Sequence, residues 1–455
     1  MMRAFFVCAI LLGACSAFGA EAQRPNVLIL HVHDIGQYLH CYGVKGVISL
    51  NLDRLAAGGV RFARSFSTAP GCSPSRASIF TGRYPHSNGV MGLTHGQFGW
   101  DLNKDEVHLA QYLLDAGYQT AAIGQVHETR SPHERVGFER SSNKKPTPQA
   151  IEWLTEFSTT PERPFFMSVG YFTPHRLVAG RSGKNPVFAF TSEGLTRHPD
   201  PDIDIPGYLL DTPETRRELT DLQVAVNEVD TEIGKVLEAL QRLNLEQNTL
   251  VIFTTDHGIA MPRAKCTLYD PGIEVACILR YPGRKGWHGG IVKDEMISNV
   301  DYLPTILELV GISVPEKVQG KSFANLLDGK AYTPRSEIFA EQTYHNYYDP
   351  RRAIRTERYK LILNYSTAPS FMDCSQDWRP AADTAVQSTA IAPPMEFYDL
   401  VEDKWELKNL ANDAKYEDIR HDLHRRLVRS LTETDDPILK GAVTPPRHRE
   451  IQEMP

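Results

Sequence analysis

The chain has 455 residues, with 49 Lys plus Arg against 56 Asp plus Glu and a formal net charge of −7. That length suffices for one large core plus a smaller domain, and the 41% apolar and 23% charged residues are ordinary for a globular protein. The acidic balance excludes a general binder of nucleic acid or anionic membrane, so an anionic substrate must be held by local Arg, Lys and His side chains.

The first residues are Met1-Met2-Arg3, an apolar run from Ala4 to Phe18, then Gly19-Ala20-Glu21-Ala22. A charge, a short apolar stretch and small residues read as a secretory signal over 1–22, cleaved before Gln23. This places the mature protein in a periplasm or outside the cell, or in a lysosome if the host is eukaryotic. Leu12-Gly13-Ala14-Cys15 also resembles a bacterial lipobox, which would put a lipid anchor on Cys15. The run is too short to span a bilayer. Beyond the two cysteines of this segment lie Cys41, Cys72, Cys266, Cys277 and Cys374. They are too few for a disulfide scaffold, though they leave room for one or two bridges. Asn364-Tyr365-Ser366 is a glycosylation sequon.

Asn26 to Val32 is a near-continuous apolar run that ends in His33-Asp34, the pattern of a buried parallel strand with polar groups at its C-terminal end. Leu50–Gly59 and Val107–Ala116 read as helices, and Gln119–Ile123 as a strand ending at Gly124-Gln125-Val126-His127. Pro148–Phe157 reads as a helix, and Pro164–Gly170 as a strand leading to Thr173-Pro174-His175-Arg176. Residues 177–211 are rich in Gly, Pro, Arg and Asp and read as a long irregular loop. Pro213–Leu243 carries an amphipathic stripe through Leu219, Leu222, Val226, Val229, Ile233 and Val236, with Thr212 as N-cap. Thr249–Thr254 is a second buried strand, ending at Asp256-His257. Glu274–Arg280 and Asp294–Ser298 read as strands and Val300–Val310 as a helix. Such alternation predicts an α/β fold, a large mostly parallel sheet with helices on both faces. After about Arg335 the texture changes to a hairpin over 353–362, a strand at 396–400 and an amphipathic helix at 416–431. The expected division is a catalytic domain over 23–335 and a smaller α+β C-terminal domain over 336–455.

Cys72 follows Thr68-Ala69-Pro70-Gly71 and precedes Ser75–Thr81, which reads as the opening of a helix. On a loop at a helix N-terminus, backbone N–H groups and the helix dipole favour a thiolate or a bound oxyanion. Arg76 lies one turn on and is expected beside it as a fixed cation. His33, Asp34, His127, His175, Asp256 and His257 all lie just past predicted strand ends. A parallel sheet gathers those ends, where open α/β sheets bind ligands.

Cys72-Ser73-Pro74-Ser75-Arg76, with Thr81-Gly82, resembles the sulfatase signature. The resemblance extends over most of the chain and implies an alkaline-phosphatase-like fold. It implies that a maturation enzyme oxidises Cys72 to formylglycine, whose hydrate is the nucleophile. Asp34, Asp256 and His257 match metal ligands of the family, and residue 72 completes the site. His33 stands where the family has a carboxylate. The family's usual ion is calcium, and a neutral imidazole suits manganese or zinc better. Lys265, before Thr267-Leu268-Tyr269, matches a sulfate-holding Lys. His175 matches a residue facing the leaving group, hence the general acid. His127 matches a His that assists the hydrate. Gln125 stands where the family often has Lys, with Arg176 or Arg263 as replacement cations. The implied reaction is in-line attack on sulfur with Arg76 and the metal favouring the ionised hydroxyl, protonation of the leaving group by His175, and expulsion of sulfate assisted by His127.

Asn88–Leu93, Pro174-His175-Arg176, Gly258–Pro262, Leu268–Gly272 and Thr434–Pro437 look similar to the heparan N-sulfatase branch. This implies a sulfated carbohydrate substrate, glycosaminoglycan degradation and removal of sulfate from a glucosamine nitrogen at a chain end; a homodimer is a further expectation. An O-sulfatase of another glycan is the nearest rival. A phosphonate or phosphodiester hydrolase of the same fold and a non-catalytic sulfated-glycan-binding relative are the readings from other classes.

Overall fold

A computed structural model describes residues 24–130, 133–179, 187–190, 203–367 and 391–454. The signal and lipobox readings, with Cys8, Cys15 and Cys374, fall outside the described residues.

The large sheet has eight strands: β1 (Asn26–Val32), β2 (Val60–Phe62), β3 (Gln119–Gly124), β4 (Arg140–Ser142), β5 (Phe165–Tyr171), β6 (Thr249–Thr255), β7 (Cys277–Arg280) and β8 (Ile291–Lys293). Their spatial order is β8-β2-β7-β6-β1-β5-β3-β4. Every neighbouring pair is parallel except the two made by β7. Wholly buried central strands explain the apolar runs seen in the sequence: β1, β5 and β6 are buried along their full length.

Strand parity sorts the core into two layers. Leu28, Leu30 and Val32 pack with the stripe of α5 (Pro213–Arg242), and with α1 (Leu50–Ala57) and α4 (Pro146–Phe157). Val27 and Ile29 face α2 (Cys72–Thr81), α3 (Leu109–Asp115) and α6 (Tyr302–Leu309) on the other side. Thr212 caps α5 by accepting from the Thr215 N–H at 3.1 Å. No helix among the described residues is long and apolar enough to cross a membrane.

A second, antiparallel sheet of four strands follows: β9 (Glu337–Tyr344), β10 (Tyr348–Thr356), β11 (Tyr359–Asn364) and β12 (Met395–Asp399). The helix α7 (Glu417–Glu433) packs on it through Leu423, Leu427 and Leu431. This is the smaller α+β unit expected from the change of texture.

Several details depart from the sequence reading. Residues 176–179 and 187–190 pair as two antiparallel strands within the stretch expected to be irregular. The strand expected over 274–280 begins only at Cys277, because Asp270–Ile273 forms a helical turn first. Of the strand expected over 294–298 only Ile297–Ser298 pairs, and β8 lies just before it, at Ile291–Lys293. Cys41, Cys72, Cys266 and Cys277 are all free, so no disulfide links them. The Asn364 amide nitrogen donates to Pro393 O at 2.7 Å and Glu396 Oε1 at 2.9 Å, so the sequon asparagine is committed to the fold.

Candidate active site

Sheet register brings the expected residues together. Val32, the last residue of β1, lies opposite Tyr171 of β5 and Thr255 of β6, while Gly124 of β3 lies opposite Gly170. The residues that follow these four strand ends therefore emerge at one edge. Close approach there requires glycine: a Cβ on Gly170 would lie 2.7 Å from His31 Cε1, and one on Gly258 would lie 1.8 Å from Pro271 O. Asp34 itself adopts φ +54, an uncommon conformation for a non-glycine residue.

Helix α2 opens against this edge. Gly71 is its extended N-cap, and Cys72 is its first helical residue instead of lying on the preceding loop as expected. All ten residues of the helix are buried. The Ser75 hydroxyl donates to Asp256 O at 2.5 Å, and the Asn299 amide donates to Ser75 Oγ at 2.9 Å. These bonds fix Cys72 against the end of β6.

Asp34, Cys72, Asp256 and His257 each offer a donor atom within 4.8 Å of the others, and His33, Asp34, Cys72 and His175 form an overlapping group. The residues fit a cation. His257 Nδ1–H donates to Gly258 O at 2.9 Å, which leaves Nε2 as a bare acceptor. That Nε2 is buried, has no hydrogen-bond partner, and faces Asp34 Oδ1 at 3.2 Å and Asp256 Oδ1 at 3.6 Å. Acceptor against acceptor in a buried site calls for a positive charge between them. Asp256 and Asp34 outweigh burial and draw His257 up to about 9, so a proton is taken up where a cation would sit. His33 is fully buried, neither ring nitrogen has a hydrogen-bond partner, and its Nδ1 stands 2.9 Å from Asp256 Oδ2.

Lys265 lies on the other side of Asp34. Its ammonium donates to both carboxylate oxygens at 2.9 and 3.0 Å and approaches His175 Nε2 at 3.4 Å. His175 Nδ1–H donates to Arg176 O at 2.7 Å, which aims Nε2 at the site. Burial pushes the Cys72 thiol up, but the Lys265 ammonium and the His127, His175 and His257 rings around it outweigh burial and hold the thiol well below its usual range. The environment of residue 72 thus favours an anion. Burial lowers His127 from its ordinary value, keeping it a neutral acceptor. Its backbone is clamped, N–H to Glu128 Oε2 at 2.8 Å and carbonyl to Thr94 Oγ1 at 2.8 Å.

Arg76 departs from expectation. Its guanidinium is fully buried and donates from Nε and Nη2 to Asp256 Oδ2, both at 3.2 Å, and from Nη1 to His31 Nδ1. It therefore orients a candidate metal ligand and is not a free cation beside Cys72. The spacing did place it on the same helix face, but the acid at the end of β6 captures its long side chain. Burial opposes ionisation of Asp256, yet His257, His33 and Arg76 hold its carboxyl well below the usual range. The two replacement cations suggested for Gln125 are also committed. Arg176 pairs with Glu218 at 2.6 Å, and Arg263 donates to Glu406 O at 2.6 Å with its guanidinium over the Tyr269 ring.

His31 was not singled out in the sequence. It bridges Arg76 to Ser168, with its Nε2 2.9 Å from the Ser168 hydroxyl oxygen. The available signal was parity: His31 lies two residues before His33 on the strand face that meets α2. A third group, His86, Glu341 and Asp436, also clusters. The Arg352 guanidinium, 2.5 and 3.0 Å from Asp436, already supplies its positive charge.

A buried nucleophile position at a helix N-terminus, an acid-rich cation cradle and three converging imidazoles define a hydrolase of an anionic ester or amidate. Comparison with known proteins gives the family. The sulfatase family profile matches residues 25–312, and that of the N-sulphoglucosamine sulphohydrolase C-terminal region matches 262–384. The chain belongs to the sulfatase family, and it is a hydrolase of sulfuric esters or sulfamates. It is 28% identical to the human N-sulphoglucosamine sulphohydrolase, covering 98% of each chain. It is also 28% identical to an ulvan-active sulfatase of Formosa agariphila, over 91% of this chain and 76% of that one. Among solved structures, a sulfatase from Bacteroides fragilis superposes with TM-score 0.70 at 22% identity, over 93% of this chain and 99% of that one.

Proposed function

We propose that this protein removes sulfate from a sulfated glycan, using a formylglycine made from Cys72, a divalent cation at Asp34, Asp256, His257 and His33, and a catalytic set of Lys265, His127 and His175. The observation that carries the reading is the meeting of residue 72 with Asp34, Asp256 and His257 within 4.8 Å, beside the Lys265 ammonium. The names of two relatives, one acting on N-sulphoglucosamine and one on ulvan, support a carbohydrate carrier for the sulfate. Near-complete coverage of the human relative favours the N-sulfate, at a glucosamine nitrogen. The N-terminal signal reading supports an exported enzyme, with residues 23–335 carrying the chemistry and 336–455 packed behind it.

The bound cation would polarise a sulfate oxygen and favour the ionised form of the aldehyde hydrate. The chain's own groups do the rest. Lys265 holds a sulfate oxygen while anchoring Asp34. His175, aimed through Nε2, takes part in its imidazolium form, with Nδ1–H held by Arg176 O, and gives the Nε2 proton to the departing nitrogen or oxygen. His127, buried and neutral, accepts the proton released at residue 72. Arg76 and His31 keep Asp256 in place and act only through it. His33 and His257 put two nitrogen donors in a site that calcium would fill with oxygen, which biases it toward manganese or zinc.

Sulfate release by matured, purified protein from glucosamine N-sulfate and from an O-sulfated glycan, compared with an aryl phosphonate, tests the function. Turnover of the N-sulfate at the highest kcat/KM is expected. Faster hydrolysis of the phosphonate would overturn the reading. Elemental analysis tests the cation: manganese or zinc near one per chain is expected, with His33→Asp shifting the bound metal toward calcium. Calcium alone in the wild type would contradict the role given to His33.

A further inference from the structure

The reaction centre is rimmed by aromatic rings that the chemistry does not use. His33 is the hub, with its ring 5.5 Å from His127, 5.2 Å from His175 and 5.7 Å from Phe172, centroid to centroid and edge-to-face in each case. Each catalytic imidazole then carries a second ring on its face. Phe172 stacks on His175 at 4.8 Å and 20°, and His95 stacks on His127 at 4.3 Å and 8°. Both outer rings are exposed, Phe172 at 37%, although the groups they cover are largely buried. Phe172 comes directly after β5 and His95 comes from the loop after α2, so two separate segments supply this rim.

An exposed apolar ring beside a site of ionisable groups leaves apolar surface in water next to a pocket built for a polar substrate. A pyranose resolves that mismatch. Its equatorial hydroxyls leave an apolar C–H face that covers an aromatic ring, while its hydroxyls and sulfate point outward to polar partners. Burial and the neighbouring His127 push His95 down to about 4, so it is a neutral imidazole with one donor and one acceptor nitrogen, a pair that matches a hydroxyl group.

We propose that Phe172 and His95 form a sugar-binding rim, in which Phe172 stacks on the C–H face of the sulfated pyranose and His95 hydrogen-bonds a hydroxyl of the same or the adjoining sugar. This rests on the sulfated-glycan reading above and deepens it by naming specificity-determining residues. The rim orients the ring so that its sulfate faces residue 72 and its departing atom faces His175.

The test is steady-state kinetics on glucosamine N-sulfate and a sulfated heparin disaccharide, with wild type, Phe172→Ala, Phe172→Trp and His95→Phe. Phe172→Ala should raise KM for the disaccharide about tenfold, and Phe172→Trp should restore it. His95→Phe keeps the stack on His127 and should raise KM several-fold through loss of the hydroxyl contact. Saturation-transfer NMR of the disaccharide on Cys72→Ala protein should mark the sugar C–H protons and lose that mark when Phe172→Ala is added. A fall in kcat at constant KM would make Phe172 a mere support for His175 and would overturn the proposal, as would unchanged kinetics or a persisting NMR contact. Wild-type protein that releases no sulfate from either sugar would instead refute the proposed function, and the rim with it.

Discussion

Two buried charge clusters lie on either side of one loop, and they are built on opposite principles. Behind the loop, Asp270, Glu274, Glu406, Arg355 and Lys360 form a seam between the large sheet and the antiparallel one. Lys360, fully buried, reaches Asp270 Oδ1 at 2.6 Å, Glu406 Oε1 at 2.8 Å and Leu268 O at 3.0 Å, while Arg355 pairs with Asp270 at 2.9 Å. There each cation finds its anions within the chain. In front of the loop, Lys265 pairs with Asp34 and Arg76 with Asp256, but His257 Nε2 still faces an oxygen of each carboxylate without a hydrogen-bond partner. A cluster whose ion pairs close on one another supports the fold, and one that leaves a buried ring nitrogen open toward its centre waits for a ligand. Lys265 and Asp270 sit on the same loop, so the seam positions the cation that serves the site.

The comparison can be broken by substituting in each cluster and reading activity and stability separately. The largest effect is expected for Cys72→Ala, which should reduce sulfate release by at least about 10⁴-fold while leaving the denaturation midpoint nearly unchanged. Lys360→Met should do the reverse. Removing one partner of a buried ionic group should cost about 3–5 kcal/mol in urea unfolding. Equal stability losses for the two variants would erase the distinction. Arg76→Lys sharpens it from the site side. Loss of the forked contact to Asp256 should weaken metal affinity about 10–100-fold, measured by competition with a chelator.

The smallest effect concerns pH. Burial, reinforced by Asp270, pushes Glu274 up to about 7 from an ordinary 4.5, and burial does the same for Glu406. The folded state therefore binds protons more tightly than the unfolded chain. The resulting stabilisation is complete below about 4.5 and is lost as pH rises toward 7, with a slope on the order of 1 kcal/mol per pH unit for each group. Glu274→Gln should flatten part of the fall in Tm between pH 5 and 7. An unchanged slope would mean that Glu274 is already ionised in the folded protein.

Much of this was legible in the sequence, for a physical reason. Central parallel strands are buried on both faces, so β1, β5 and β6 appear as apolar runs, and the polar residues just after them mark the sheet edge. Three things were not legible. Arg76 could be placed on a helix face, but where its long side chain ends depends on an acid 180 residues away in the chain. His31 was passed over because a fully buried strand shows no alternation, which left its two-residue spacing from His33 as the signal for its face. Strand β9 escaped because Glu341, Gln342 and Thr343 are polar residues buried by tertiary partners, as in the contact of Glu341 with His86. Strand β9 thus draws its place from long-range polar contacts that local patterns do not reveal, while the other three strands of its sheet were legible.

The most direct test is mass spectrometry of the tryptic peptide spanning Ser65 to Arg76, taken from protein matured in a host that supplies the oxidising enzyme. The account predicts a mass about 18 Da below the cysteine form, with aldehyde reactivity at residue 72 that tracks sulfate release from preparation to preparation. Full activity in protein whose residue 72 is an intact thiol would contradict it.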